Sequence, residues 1–451
     1  NGSVIKGILT MVDISVVIFG ALVFLEVIRA ERVLSSIEHY LHSLSSDSRI
    51  QVILLAWFFG AFLEGSAGFG IPALITAPLL VNVGLKPVLA VTIALLANCV
   101  PVTFGAVGTP ILVGLSSYPA LPIAQQTIFI GGLLGLFVPT LLLAALTLGL
   151  RQSWEEYFRG GLPFALWSGA AFVIPYYFAL QIGPEFPSLI GAIVGIVLAI
   201  IPLKFGLFIP PVLHRAKTYE PNENPLHIWR TLFPYIVLVV LLIGGKYVLP
   251  QFTLSLPGDL VHQIRLFNPG IIFLVVAALY ILRYRMPRSE VSRFANDGLL
   301  RLGRPAMIIF CTATIMQVMA NSGVNTSGLS SMVEYGFERM QTIWLPVYAP
   351  LVGALGGFVA GSTTLSNVIF GTIQGYSAQV VGYSAVSILA LQVVGATGGN
   401  MMSLTNVIAA VSTVDAKREE GHIMLKLIPW VALYLGAAIV IGLAVTGILP
   451  E

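Results

Sequence analysis

The sequence predicts an all-α polytopic membrane protein with about 11–13 membrane segments of about 20 residues each. Hydrophobic residues make up 57% of its 451 residues and charged residues only 10%, whereas soluble domains carry about 25% charged residues. Apolar runs long enough to cross a bilayer as helices recur along the chain. A glycine- and serine-rich motif also returns in the second half, which indicates an internal duplication.

The clearest apolar runs place the membrane segments. They lie at 10–31, 128–150, 162–182, 187–210, 231–249, 269–283 and 427–449. The polar stretches between them, such as 211–230 and 283–304, are only loop-sized and leave no room for a soluble domain. Arginines crowd the second of these stretches, which by the positive-inside tendency predicts a cytoplasmic loop. The net charge of +3 is too small to indicate nucleic-acid binding.

No metal, cofactor or disulfide is expected. The six histidines show no metal-ligand spacing, and Cys99 and Cys311 lie in apolar segments typical of small core residues. The glycines of GSAGFG (65–70) do not follow the order of a dinucleotide-binding loop. The sequence shows no nucleophile, base and orienting acid that belong together, so an enzyme is not expected.

Two motifs recur at an offset of 296 residues. GAFLEGSAGFG (60–70) corresponds to GGFVAGSTTLS (356–366). In the same register, VGTPILV (107–113) corresponds to SLTNVIA (403–409). This match predicts repeat one at about 7–200, repeat two at about 303–451, and connecting membrane segments at about 201–302.

Each repeat is predicted to begin with an amphipathic helix at the membrane interface. Its apolar residues recur at helical spacing. In the first repeat they are Val33, Ile37, Leu41 and Leu44. In the second they are Leu329, Val333, Phe337 and Met340.

The Gly/Ser motif of each repeat interrupts an apolar segment, and a second polar break follows at 97–110 or 395–406. Non-helical backbone at membrane depth is tolerated only where it is buried in protein or lines a wet cavity. Paired breaks in corresponding positions predict a transport site near the membrane midplane. We therefore expect two inverted repeats, each with a re-entrant helical hairpin.

Glu64 is an acidic residue within an otherwise apolar segment, since it follows the run 52–63. An ionised carboxylate at membrane depth costs about 2.5–3.5 kcal/mol or more unless it is paired, hydrated or protonated. One interpretation is a proton carrier that loads and releases H⁺ as the site opens to each side. The alternatives are a structural ion pair, with Arg49 or Arg304, and a carboxylate that reaches the interface.

Small and polar residues at the breaks predict a binding site for a small anion. Helix N-termini carry about half a positive charge and bind carboxylates. Tight helix packing is the alternative for the glycines, and satisfaction of broken backbone is the alternative for the polar residues. The candidate substrate-binding residues are Gly65, Ser66, Gly68, Asn98, Thr103, Thr109, Ser362, Thr363, Thr364, Asn367, Asn400, Ser403 and Thr405.

Two long stretches of the sequence form distinctive motifs. They read FGAFLEGSAGFGIPALITAPLLVNVGLKP (59–87) and ANCVPVTFGAVGTPILV (97–113). Both resemble, nearly residue for residue, stretches of the lactate permease family of bacterial and archaeal carboxylate transporters. Weaker similarity to this family continues through 182–195, 327–331 and 361–374.

The resemblance implies a symporter that imports L-lactate, D-lactate or glycolate together with a proton. It also implies membership of the wider ion transporter superfamily, with inverted repeats, re-entrant hairpins and an elevator-like motion. By this resemblance Glu64 corresponds to an acid of the family motif. Ser362, Thr364 and Asn367 correspond to its polar residues.

The chain departs from the resemblance at two positions. The family pattern has Asp where this chain has Thr363 and Lys where it has Asn400. Two neutral groups thus replace an opposite charge pair, which leaves the local net charge unchanged. Without the lysine, anion binding would rest on helix dipoles, hydroxyls and amides, and the substrate and the coupling ion are left open.

We therefore expect a secondary active transporter in the cell membrane of a bacterium or archaeon. It imports a small 2-hydroxy monocarboxylate, lactate or glycolate, by proton symport. The alternatives are a Na⁺-coupled transporter of another organic anion and a passive anion channel, which needs no proton carrier. The expected partners are the carboxylate, H⁺ or Na⁺ and the lipid bilayer, and the oligomeric state is open, with a homodimer among the options.

Overall fold

The computed structural model describes residues 2–68, 70–208, 216, 225–248, 251–256, 260–265, 268–320, 322–323, 344–416 and 418–446. These residues form helices and one pair of short strands. The helices before the strands are α1 Gly2–Ala30, α2 Val33–His42, α3 Ser48–Ser66, α4 Ile71–Val83, α5 Pro87–Ala97, α6 Gly105–Leu112, α7 Ala120–Gly135, α8 Val138–Gly149, α9 Arg159–Ala179, α10 Pro187–Lys204 and α11 Ile228–Val248. The strands are β1 Gln251–Leu256 and β2 Leu260–Arg265. The helices that follow are α12 Pro269–Tyr284, α13 Arg288–Ala320, α14 Leu345–Ala360, α15 Thr363–Val381, α16 Ala385–Met401, α17 Leu404–Val411 and α18 Glu420–Thr446.

The described helices confirm a helical, membrane-embedded protein. Eight of them, some joined end to end, are long and apolar enough to cross a membrane. A ninth crossing results if the pair Pro87–Ala97 and Pro101–Leu112, bent by 52°, is one span. The helices α4, α12 and α14 are apolar but shorter. The total of 11–13 membrane segments stays a prediction.

Two local expectations from the sequence were wrong, those for the stretch 283–304 and for Cys311, and the helical fold also contains one pair of short strands. The strands β1 and β2 pair antiparallel, with Gln251 opposite Arg265, because polar and apolar residues alternate in β1. The stretch 283–304 is mostly helical rather than a loop, since α13 begins at Arg288. Cys99 is a buried free thiol as expected, whereas the free thiol of Cys311 is exposed on α13.

The amphipathic pattern near the start of the chain forms a helix, α2. Its residues Val33 and Leu41 are buried, and Ser35 is exposed. The corresponding pattern of the second half, Leu329 to Met340, lies outside the described residues.

Contacts divide the chain into two compact units, residues 1–39 with 221–336 and residues 40–220 with 337–451. Within the first unit, α1 packs along α12 and α13. A Cβ on Gly20 would collide with the backbone of Gly270, and a Cβ on Gly270 would collide with the backbone of Val16. Ion pairs also form between Glu26 and Arg301 and between Glu31 and Arg230.

Two helical hairpins organise the second unit. The fully buried helix α3 contains a π-helical stretch, Ile53–Phe59, and α4 folds back along it. The turn between α3 and α4 uses Gly70 at φ +80°, and the turn between α14 and α15 uses Gly361 at φ +64°. Both are left-handed conformations that glycine adopts without steric cost. The chain therefore reverses at each Gly/Ser motif.

A buried ion pair anchors the start of the first hairpin. The Arg49 guanidinium donates to Asp47 Oδ1 at 3.0 Å and to Asp47 Oδ2 at 2.7 Å, and both side chains are about 1% exposed. A further N–H of Arg49 donates to the Tyr157 carbonyl oxygen at 2.8 Å. Ser48 and the Tyr157 hydroxyl are also hydrogen-bonded, at 2.9 Å. These bonds hold the first turn of α3 against the segment that leads into α9.

Removing one partner of a buried pair leaves an uncompensated charge, which costs about 3–5 kcal/mol. We expect Arg49→Ala to lower the melting temperature of the purified protein in detergent strongly. Arg293→Ala is the control, because the pair of Arg293 with Asp297 is exposed and its N···O distance is 3.7 Å. Such surface pairs contribute about 0–1 kcal/mol. Equal melting temperatures for the two variants would contradict the stabilising role of Arg49.

Candidate functional site

A small cavity lies within the second unit, where the broken segments of both halves of the chain meet. Its described lining residues include no Lys, Arg or His. They are Glu64, Gly70, Val102, Gly105, Ala106, Thr109, Pro110, Gly361, Ser362, Thr363, Thr364 and Asn400.

Glu64 is the acidic residue in this lining, and it is only 1% exposed. Its Oε2 accepts a hydrogen bond from Asn98 Nδ2 at 2.8 Å. The proposed ion pair with Arg49 does not form, because Arg49 binds Asp47 instead. The side chain of Arg304 lies outside the described residues. Among the described residues, Glu64 thus has an amide partner and no cationic one.

The second oxygen of Glu64, Oε1, lies against the backbone of the second break. A Cβ on Gly105 would collide with Oε1, so any side chain at this position requires the Glu64 carboxylate to move. The next residues, Ala106, Val107 and Gly108, have left-handed φ values of 41°, 57° and 78°. This conformation is unusual for alanine and an outlier for a β-branched residue such as valine. Strained backbone of this kind clusters at functional sites.

The N-terminus of α15 faces the same cavity from the second half. Ser362 caps this helix, and its Oγ accepts the Leu365 N–H at 3.3 Å. The backbone N–H groups of Thr363 and Thr364 keep no partner within the described part of the chain. Gly70, which precedes the first residue of α4, lines the cavity as well. Two helix N-termini with partial positive charge therefore point to one small space.

Direct contacts join the two halves around the cavity. The hydroxyls of Thr109 and Thr364 are 3.3 Å apart and hydrogen-bonded. Asn367 Nδ2 donates to the Pro110 carbonyl oxygen at 2.9 Å. These bonds fix the N-terminal turn of α15 on α6.

The structure brings part of the predicted substrate-binding set into the lining. With Glu64, these residues are Thr109, Ser362, Thr363, Thr364 and Asn400. The two positions that depart from the family resemblance, Thr363 and Asn400, thus lie at the same cavity. Asn400 Oδ1 accepts a hydrogen bond from Asn406 Nδ2 at 2.9 Å.

Some predicted residues do not line the cavity but contact residues that do. Asn98 binds Glu64, Asn367 binds Pro110, and Gly68 lies beside Ala106 at φ +60°. Ser403 caps α17 and accepts the Asn406 N–H at 3.3 Å.

The remaining predicted residues do not line the cavity themselves. Gly65 packs against the backbone of Leu189, which matches the helix-packing alternative. The Ser66 hydroxyl donates to the Leu63 carbonyl oxygen at 3.1 Å within its own helix. Thr103 is buried beside Gly131 of α7, and Thr405 is exposed beside Gly361.

A buried glutamine pair that the sequence analysis missed connects the second hairpin to α16. Gln374 Nε2 donates to Gln392 Oε1 at 2.7 Å. Gln392 Nε2 donates to Ser366 Oγ at 3.1 Å and to Asn367 Oδ1 at 3.3 Å. Two glutamines within apolar helices were the available signal, because a polar side chain at membrane depth requires a partner. Backbone lining residues such as Gly105 and Pro110 gave no comparable signal.

Comparison with known proteins decides the family. The sequence profile of the L-lactate permease family matches residues 1–259 and 247–449, and so almost the whole chain. The protein belongs to this family. The L-lactate permease of Bacillus subtilis strain 168 is 27% identical, and the match covers 84% of this chain and 75% of that protein. Glycolate permease GlcA of Escherichia coli K12 is also 27% identical, and the match covers the same shares of the two chains.

The family consists of permeases, so this chain is a membrane transporter and not an enzyme, as the sequence predicted. Among solved structures, the YdaH transporter of Alcanivorax borkumensis resembles it with a TM-score of 0.48 and 13% identity. That likeness covers 96% of this chain and 85% of the other.

The contact between Gly105 and Glu64 makes a steric prediction. Gly105→Ala places a methyl group where the carboxylate lies, so the carboxylate must move by about 1 Å. Displacements of this size in preorganised sites cost about 100-fold in rate. We expect uptake of radiolabelled L-lactate by membrane vesicles to fall at least about tenfold at equal protein content.

The matched control is Gly436→Ala in α18, where nothing lies within 4 Å of the added methyl group. This variant should transport as the unmodified protein does. Full uptake by Gly105→Ala would show that the position of the Glu64 carboxylate does not matter.

Proposed function

We propose that the protein is a secondary active transporter that imports lactate or glycolate together with a proton carried by Glu64. The observation that carries this proposal is one cavity that combines a buried carboxylate, two helix N-termini and, among its described lining residues, no basic side chain. The substrates named for the relatives, L-lactate and glycolate, are both small monocarboxylates.

Charge balance explains why the substrate needs a coupled cation. Two like charges about 4 Å apart repel by about 4 kcal/mol even at an effective dielectric constant of about 20. A carboxylate substrate and an ionised Glu64 therefore exclude each other in so small a cavity. A proton on Glu64 removes this repulsion, and the protonated oxygen can then donate a hydrogen bond. Binding of substrate and proton thus becomes mutually favourable, as symport requires.

The N-terminus of α15 is the proposed place for the substrate carboxylate. The N–H groups of Thr363 and Thr364 are available there, and the Asn400 side chain lines the same space. A carboxylate at a helix N-terminus is a common arrangement, since both the N–H donors and the helix dipole favour negative charge.

The proposed mechanism is alternating access by two inverted repeats with an elevator-like motion. Its support is a correspondence of elements at the offset of 296 residues. The pairs that correspond are α3 with α14, α4 with α15, α5 with α16, and α6 with α17. Two boundaries between the units, after residue 39 and after residue 336, are separated by nearly the same number of residues as this offset. Location in the cell membrane of a bacterium or archaeon is part of this proposal, and the oligomeric state stays open.

Sodium coupling is the second candidate. It is favoured by the neutral residues Thr363 and Asn400 in the cavity lining, where the family resemblance implies an opposite charge pair. A sodium ion next to Glu64 would balance the substrate charge as a proton does.

Substitution of the proton carrier tests the proposal. In proteoliposomes, Glu64→Gln should abolish lactate accumulation driven by an inward proton gradient, because an amide cannot bind and release the proton. Exchange of internal for external lactate, which needs no net proton movement, should persist. Glu155→Gln removes an exposed carboxylate and is the control, with unchanged accumulation.

Gradient-driven accumulation by Glu64→Gln would refute the proton role of Glu64. Accumulation that requires a sodium gradient in the unmodified protein would favour the second candidate. Lactate flux that rises linearly with concentration and ignores both gradients would indicate a channel.

A further inference from the structure

We propose that Thr363 recognises the 2-hydroxyl group of the substrate and so selects 2-hydroxy acids against unsubstituted carboxylates of similar size. The proposal rests on the proposed function, because it assigns a group within the same site. Thr363 thereby distinguishes lactate from propionate, which has the same carbon skeleton without the hydroxyl.

The observation is a buried hydroxyl without a partner. Thr363 is about 1% exposed and lines the cavity, and its Oγ1 has no hydrogen-bond partner among the described residues. Buried polar groups are almost always hydrogen-bonded, so an exception at a cavity indicates a ligand or a water molecule as the partner.

The neighbouring hydroxyls differ from Thr363 in this respect. Ser362 Oγ caps the helix at the Leu365 N–H, and Thr364 Oγ1 is bonded to Thr109. Of three consecutive hydroxyl side chains, two are thus committed to the protein. The third is available to the solute.

The position of Thr363 suits recognition of a group next to a carboxylate. It is the first residue of α15, and its own N–H is one of the two proposed carboxylate donors. In a 2-hydroxy acid the hydroxyl is on the carbon bonded to the carboxylate. A carboxylate on these N–H groups therefore keeps its 2-hydroxyl within the same helical turn. Threonine can either donate to this hydroxyl or accept from it.

The selectivity arises because the Thr363 hydroxyl stays without a hydrogen-bond partner when the substrate lacks a 2-hydroxyl group. A site built to bind a substrate hydroxyl rejects the analogue that lacks it, because the buried polar group of the protein then stays unsatisfied. Lactate completes the hydrogen bond of Thr363, whereas propionate buries Oγ1 without one. Glycolate, which keeps the 2-hydroxyl and lacks the methyl group, is accepted.

The test measures inhibition constants of unlabelled lactate and propionate against uptake of labelled lactate. The unmodified protein should prefer lactate by about tenfold or more. Thr363→Val, which keeps the shape and removes the hydroxyl, should reduce this preference to within about threefold. Thr363→Ser, which restores a hydroxyl, should retain it. Thr363→Ala is a second variant without the hydroxyl, in case the valine variant does not fold.

The control variant is Thr147→Val in α8. This hydroxyl is also fully buried, but it donates to the Leu143 carbonyl oxygen at 2.7 Å, so its removal should leave the preference unchanged. Equal inhibition of the unmodified protein by lactate and propionate would overturn the inference, as would an undiminished preference in Thr363→Val or Thr363→Ala. Absence of saturable lactate uptake by the unmodified protein would instead contradict the proposed function.

Discussion

The carboxylate of Glu64 is buried at a cavity whose described lining contains no basic residue, and the proposed transport mechanism depends on this constraint. Its hydrogen bond from Asn98 stabilises one oxygen, and the other faces the backbone of Gly105 and the cavity. Arg49, at the other end of α3, is engaged in its own buried pair. In the proposed mechanism, an ionised Glu64 repels an anionic substrate, so binding of the substrate depends on a cation. That dependence is the physical basis of the proposed coupling between proton and substrate.

The cavity depends equally on the positions of the two hairpins. Each hairpin reverses at a left-handed glycine and directs a helix N-terminus to the same space. Hydrogen bonds from Asn367 to Pro110 and from Gln392 to Ser366 hold the second N-terminus against α6 and α16. Hydrogen bonds in a low-dielectric interior are electrostatically stronger than in water and hold the groups that they join in place. The N–H groups of α15 are thereby oriented before a substrate arrives, which lowers the entropic cost of binding.

Much of this arrangement was predictable because membrane helices and polar breaks leave strong signals in sequence. Hydropathy indicated the helices, and the recurrence of the Gly/Ser motif indicated both hairpin turns. Glu64, Ser362, Thr363 and Asn400 stood out as polar residues at those breaks.

Other features depend on packing that single residues do not reveal. Gly65 and Gly70 belong to the same Gly/Ser motif. Gly65 nevertheless contacts α10, whereas Gly70 lines the cavity. The left-handed backbone of Ala106 and Val107 contradicts the preference of these residues, so only tertiary contacts can impose it. Gln392 was overlooked because it is a single polar residue in an apolar helix, and its partner Gln374 lies on another helix.

The central claim is that the substrate charge is balanced by one proton within the cavity. Simultaneous recording of lactate uptake and proton uptake by proteoliposomes, with the membrane potential clamped at a series of values, tests it most directly. The account predicts about one proton per lactate molecule and uptake that does not respond to the membrane potential, since the pair is neutral. Lactate entry without proton entry, or a current that accompanies uptake, would contradict it.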